Sequence, residues 1–199
     1  MPLTREAALI QIVDSAAAEA ARRGGDWVVC RAGCHECCIG CFAISQSDTL
    51  RLQQGLRELA ASDPQRATRV VQRARATVAS YAGQFPGDPA TGLLGQDDDS
   101  AARFEDFGNE DACPALDPET GTCDLYAWRP VTCRTFGPAI RLNSDSVDTC
   151  ELCYRGATDE EIVSRVVEVD FEQEAADLER EAEAVTGLRG ETIIAFALR

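Results

Sequence analysis

The chain has 199 residues, with no lysine, a single histidine and only 6 % aromatic residues. With so few aromatics the core must rest on Val, Leu, Ile and Ala, although a hydrophobic share of 45 % excludes global disorder. A lone His35 leaves no Ser-His-Asp arrangement beyond it, and a Cys-His nucleophilic pair would need one crowded thiol to stay free. Hydrolytic catalysis is therefore not expected. The lysine deficit accompanies free use of Arg and reads as base composition, with no functional meaning. Positive charge is scarce overall, 19 Arg against 34 Asp plus Glu, for a net −15. That balance repels nucleic acid and anionic membranes, so neither is an expected partner, whereas a basic protein is compatible.

Long apolar runs are also missing. No stretch approaches the roughly 18 residues needed to span a bilayer. Arg5, Glu6 and Asp14 interrupt the place where an export signal would need an apolar run, so a cytoplasmic location is expected. No glycine-rich phosphate loop joins a strand to a helix, since Arg22-Arg23-Gly24-Gly25 ends a helical pattern. There is no solenoid-length repeat.

Helical periodicity dominates what is present. Leu9, Ile12, Val13, Ala16 and Ala20 mark a first helix, with Thr4 as its cap and Gly24-Gly25 as its end. A second helix is expected from about Asp48, with Leu52, Leu56 and Leu59 inward. Asp63-Pro64 stops it and starts a third, carrying Ala67, Val70, Val71, Ala74, Val78 and Tyr81, and the two form a hairpin. Residues 86–111, rich in Gly, Pro and Asp, read as a solvated acidic loop without the alternating carboxylates of a calcium loop. Ala139 to Leu142 suits a short strand. Thr158 and Glu161 form a capping box for a C-terminal helix continued by Phe171, Ala175, Leu178, Ala182 and Val185 and closed by Gly187. The apolar tail, Thr192 to Leu198, reads as a strand. The expected fold is mainly α: one small domain over 1–199, with minor strands and cysteine-rich loops gathered around a metal site at about 30–153, between helical flanks.

Ten cysteines carry the chemistry. In a reducing compartment such clustered thiols indicate metal or redox chemistry rather than a disulfide scaffold. Cys34 and Cys37, and again Cys38 and Cys41, are separated by two residues, the gap that lets a tight turn aim two thiolates at one metal. The side chains of adjacent Cys37 and Cys38 diverge, which points to a multinuclear site or to two sites. Further along come Cys113-Pro114, Cys123, Cys133-Arg134 and the Cys150-x2-Cys153 pair. Cys-Pro recurs in iron-sulfur loops, but the evenly spaced run of a two-cluster ferredoxin is absent. His35 is either an imidazole ligand beside three thiolates or a spacer facing solvent.

The Cys34-x2-Cys37-Cys38 doublet, Cys113-Pro114, and the succession Cys123, Tyr126, Arg129-Pro130, Cys133-Arg134 resemble the YkgJ-like cysteine-cluster family of bacterial proteins, a zinc- or iron-chelating domain. The resemblance runs from about Cys30 to Cys153. It implies metal binding, with iron-sulfur binding in relatives such as flagellin lysine methylases. It implies Cys34, Cys37, Cys38, Cys113, Cys123 and Cys133 as ligands, with Cys30 joining them across a gap of three residues where the family motif has two. Either Cys150 or Cys153 supplies the C-terminal ligand, and Cys41 has no family counterpart. Tyr126, Arg129 and Arg134 match family positions; guanidinium donors there would stabilise anionic thiolates, the alternative being ordinary packing and surface ion pairs.

Three functional readings follow. The first is an iron-sulfur protein with one four-iron (4Fe-4S) cluster, or two, acting in electron transfer, redox sensing or cluster handling. The second is a zinc-stabilised structural or interaction module. The third is a cluster-dependent methyl- or group-transfer enzyme, suggested only by the methylase relatives.

Overall fold

The computed structural model describes residues 5–31, 33–142, 147 and 149–199. Among these residues the chain forms eight α-helices and four two-stranded sheets, which makes the fold mainly α. Helix α1 (Glu6–Gly24) buries Leu9, Val13, Ala16 and Ala20 and ends where Gly25 takes φ +54°. Thr4 lies outside the described residues. Helix α2 (Gln46–Ser62) begins two residues earlier than its apolar pattern suggested, because Ser45 caps it by accepting the Asp48 N–H. Asp63 then caps helix α3 (Pro64–Tyr81) through the Arg66 N–H, and Pro64 occupies the first turn, where its missing N–H costs nothing. Helices α2 and α3 pack as the expected hairpin.

The main core lies between this hairpin and the C-terminal segment. Ile44, Leu52, Val70, Ala74, Leu125, Ile194 and Leu198 fill it, and Cys113, Cys123, Cys133 and Trp128 pack against its edge. Strands β1 (Ala43–Ile44) and β8 (Thr192–Ile193) pair antiparallel and fix the tail. The tail is not a continuous strand: from Ile194 it turns into the short helix α8 (Ile194–Ala197), whose every residue is buried.

Two further expectations need correction. Residues 86–111 are not merely a solvated loop. They contain the hairpin of β2 (Gly87–Asp88) and β3 (Leu93–Leu94), then helix α4 (Asp98–Glu105), capped by Asp97. Phe85, Phe107 and Phe196 lock this region onto Tyr81, giving the acidic stretch a packed aromatic underside. The Thr158–Glu161 capping box is present, but it opens only the one-turn helix α6 (Asp159–Val163). Strand β7 (Val167–Val169) follows, running parallel to β6 (Ile140–Leu142), before the separate helix α7 (Glu172–Thr186) closes at Gly187. The β-branched run of Val166, Val167 and Val169 favours the strand over continued helix. Val185, assigned to the inward stripe, is 58 % exposed. The remaining strands, β4 (Leu116–Asp117) and β5 (Thr122–Cys123), form a hairpin, and α5 (Val131–Thr135) is a short helix behind Pro130.

Candidate metal centre

The first cysteine loop is irregular except for one 3-10 turn at Glu36–Cys38. It is held against the second by backbone: the Cys113 N–H donates to the Cys38 carbonyl at 2.7 Å, the Gly40 N–H to Asp111 at 2.9 Å, and Ile39 bridges Ala112. A tight turn follows, with the Leu116 N–H donating to the Cys113 carbonyl at 2.9 Å. Cys123 sits on β5 and Cys133 inside α5. Three distant segments thus bring Cys37, Cys38, Cys113, Cys123 and Cys133 into mutual electrostatic contact at the edge of the main core.

Burial makes most of these thiols reluctant to ionise. It pushes Cys113 up to about 12, and it raises Cys123 and Cys133, with neighbouring sulfurs adding to the effect at Cys133. Cys37 goes the other way. A hydrogen bond from Cys38 is the largest cause and the Arg129 guanidinium contributes, bringing Cys37 down to about 6, while Cys38 is raised because it keeps the shared proton. Within the adjacent pair Cys37 is thus the more acidic thiol and Cys38 the one that holds its proton.

The surrounding side chains brace the group. Arg129 lies 3.9 Å over the Tyr126 ring, and its buried Nε has no hydrogen-bond partner among the described residues. Its charge reaches Cys37 and Cys123. Arg134 serves a different purpose: it pairs with Asp14 at 2.7 Å and donates to the carbonyls of Ala127 and Arg129, tying α5 to α1. Asp124, next to Cys123, has a side chain only 1 % exposed and is clamped between Arg66 and Arg73 from α3. Asp48 accepts the Val131 N–H at 3.2 Å, satisfying a donor at the start of the helix that carries Cys133. The sequence reading missed these last two supports. Their signal was weak, an acidic residue beside a cysteine and one at the head of a helix.

The other proposed ligands gather elsewhere. Cys30 Sγ lies 3.9 Å from Cys153 Sγ, and the charges of Cys34 and Cys150 are felt at Cys30. Burial, then Cys153, pushes Cys30 up to about 12. Cys150 and Cys153 are buried in a separate apolar cluster with Ala139, Tyr154 and Val166, flanked by Trp27 and Phe136, while Cys30 is exposed at its edge. Cys41 joins neither group. It contacts the Tyr81 hydroxyl at 3.3 Å, which itself donates to Asp111 at 2.7 Å. His35 is exposed, with Nδ1 3.2 Å from its neighbour's carbonyl at Gly33.

All ten cysteines are free thiols. Among the described residues no three His, Cys, Asp or Glu side chains are closed upon one point as a bound ion would hold them. Nine sulfurs with no carboxylate among them nonetheless form a soft donor set, which suits zinc or iron rather than magnesium or calcium. No helix among the described residues is long and apolar enough to cross a membrane.

Comparison with known proteins agrees with this donor chemistry. Residues 29–153 match the family model CxxCxxCC, described as "Putative zinc- or iron-chelating domain". No curated protein and no solved structure matches the chain significantly. The matched span takes in both thiol groups and covers more than half of the sequence, and the chain belongs to this zinc- or iron-chelating CxxCxxCC family.

Proposed function

We propose that this metal-binding protein is an iron-sulfur protein whose five-thiol group, Cys37, Cys38, Cys113, Cys123 and Cys133, holds a four-iron cluster for redox work. One observation carries the reading: five thiols from three segments gather beside a guanidinium, Arg129, whose charge reaches Cys37 and Cys123 and whose buried Nε has no hydrogen-bond partner among the described residues. A four-iron cluster takes four of these five thiols, one to each iron, and the adjacent Cys37 and Cys38 suit neighbouring irons better than one ion. A cluster here would supply one-electron exchange. Arg129 would offset the charge of the thiolates and donate to sulfur, as buried cations do beside anionic groups. Asp48 and the Asp124 clamp hold Cys133 and Cys123 in place.

Tyr126, 62 % exposed and stacked on Arg129, gives this group an aromatic surface next to the thiols. A partner could exchange electrons there, and the net charge of −15 favours a basic protein. Electron transfer, redox sensing and cluster handling in a reducing cytoplasm all draw on the same site. The test is an iron and acid-labile sulfide count on anaerobically purified protein. About four of each, with brown colour, supports the reading; colourless protein containing zinc and no sulfide overturns it.

A further inference from the structure

The two thiol groups differ in more than position. The five-thiol group has the half-buried Arg129 beside Cys37 and Cys123 and has more sulfurs than a mononuclear site uses. The second group has four, Cys30, Cys34, Cys150 and Cys153. Four tetrahedral metal-sulfur bonds of about 2.3 Å place sulfurs about 3.8 Å apart. Cys30 and Cys153 stand at 3.9 Å. A four-iron cluster binds each thiolate to a different iron and spreads the sulfurs more widely.

The local backbone supports the same geometry. In Cys150-Glu-Leu-Cys153 the Leu152 N–H points at Cys150 Sγ, 3.4 Å away, and the Cys153 N–H donates to the Cys150 carbonyl at 2.9 Å. This turn keeps Cys153 within electrostatic reach of Cys150 and offers an amide donor that would stabilise a thiolate once its proton is lost. The Tyr154 N–H then donates to the Trp27 carbonyl at 3.0 Å, and the Cys150 N–H to Gly137 at 3.3 Å, so the segment is docked on the stretch that leads to Cys30. Gly137 adopts φ +123°, and a Cβ there would lie 2.8 Å from Cys30 Sγ. The backbone has been cleared to seat that sulfur.

We infer that Cys30, Cys34, Cys150 and Cys153 form a second centre, separate from the five-thiol group, which takes one zinc-like ion in a closed tetrathiolate shell and staples the segment after α1 to the segment after β6. With four protein ligands it has no open position and its contribution is folding energy. The inference rests on the Proposed function only in assigning the other five thiols to a different cofactor.

The test uses the full-length chain carrying Cys123→Ser and Cys133→Ser, which leaves the four-thiol group intact. Cobalt(II) is titrated anaerobically and the visible spectrum recorded. The expected result is one equivalent bound, with the intense bands of tetrahedral cobalt-thiolate coordination, falling to less than a tenth when Cys153→Ser is added. Zinc counting on otherwise wild-type chain gives a second readout: Cys153→Ser loses one zinc while iron and sulfide remain. Cobalt bands unaffected by Cys153→Ser, or loss of iron and sulfide with zinc unchanged, overturn the inference. Wild-type protein that lacks iron but keeps a Cys153-dependent cobalt site overturns the iron-sulfur reading and upholds this one.

Discussion

The Cys113 amide donates to the Cys38 carbonyl at 2.7 Å, so a ligand of the second cysteine loop is held in register by the backbone of a ligand in the first. The backbones of the two loops are tied to each other without any metal. Cys41, only three residues from Cys38, escapes the arrangement because its thiol turns to Tyr81.

The thiols should therefore not be equivalent under mutation. Cys37→Ser or Cys133→Ser should remove most of the metal of the five-thiol group and lower thermal stability, because metal binding here is folding energy. Cys41→Ser should retain metal, since a serine hydroxyl can still meet Tyr81. Metal analysis and thermal melts of the three variants check this ranking, and equal metal content in all three would refute it.

Arg129→Gln removes a cation whose field reaches Cys37 and Cys123. Reduction adds negative charge to a thiolate-ligated centre, and a nearby cation stabilises that form. The variant should shift the midpoint potential negative by roughly 50 mV, close to tenfold in equilibrium for one electron. Arg129→Lys should recover part of the shift, since it restores charge without the planar stack on Tyr126. Redox titration followed by visible absorption measures it, and an unchanged potential in the Gln variant would count against Arg129.

Gly55 stands in α2 where a Cβ would lie 2.3 Å from Cγ of Trp128. Alanine ordinarily gains about 1 kcal/mol over glycine inside a helix. Here it must push the indole away, and with it the Tyr126–Trp128 turn that leads into Arg129. Overpacking of this kind costs about 1–3 kcal/mol, so Gly55→Ala should lower the melting temperature and the metal content. Gly83→Ala, where a Cβ meets nothing within 4 Å, is the control and should be near neutral. Equal melting temperatures for the two variants would show that Trp128 yields freely.

Local chemistry explains which elements were legible in the sequence. The stripes of α1 and α3 and the Asp63-Pro64 punctuation reproduce in the structure because propensity and burial agree there. Residues 86–111 misread because their order comes from Phe85, Phe107 and Phe196 packing on Tyr81, contacts that reach across the chain. The break between α6 and α7 was hidden for a similar reason: β7 exists by pairing with β6, and no local pattern announces that partner. At the candidate site, spacing nominated cysteines but was silent on company. Cys34 and Cys37 share a two-residue gap yet lie in different groups, because the 3-10 turn at Glu36–Cys38 redirects the chain between them.

Asp48 provides a pH-dependent prediction. Burial raises its carboxyl to about 6, against the opposing pull of the Val131 N–H and Arg51, while Glu179 adds to the rise. The folded state then holds this proton more tightly than the unfolded chain, where the value is near 3.9. The associated stability is fully present below about pH 4 and is lost as pH rises through about 6, amounting to roughly 3 kcal/mol at neutral pH. Asp48→Asn keeps an oxygen for the Val131 N–H and has no proton to lose. Groups common to both proteins cancel in the difference between them, so the stability of Asp48→Asn relative to wild type should improve steadily from pH 4 to 7. Urea unfolding of both proteins under anaerobic, reducing conditions across that range measures the difference. A difference that stays flat with pH would mean that Asp48 titrates alike in the folded and unfolded chains, and that its contact with α5 carries no buried charge.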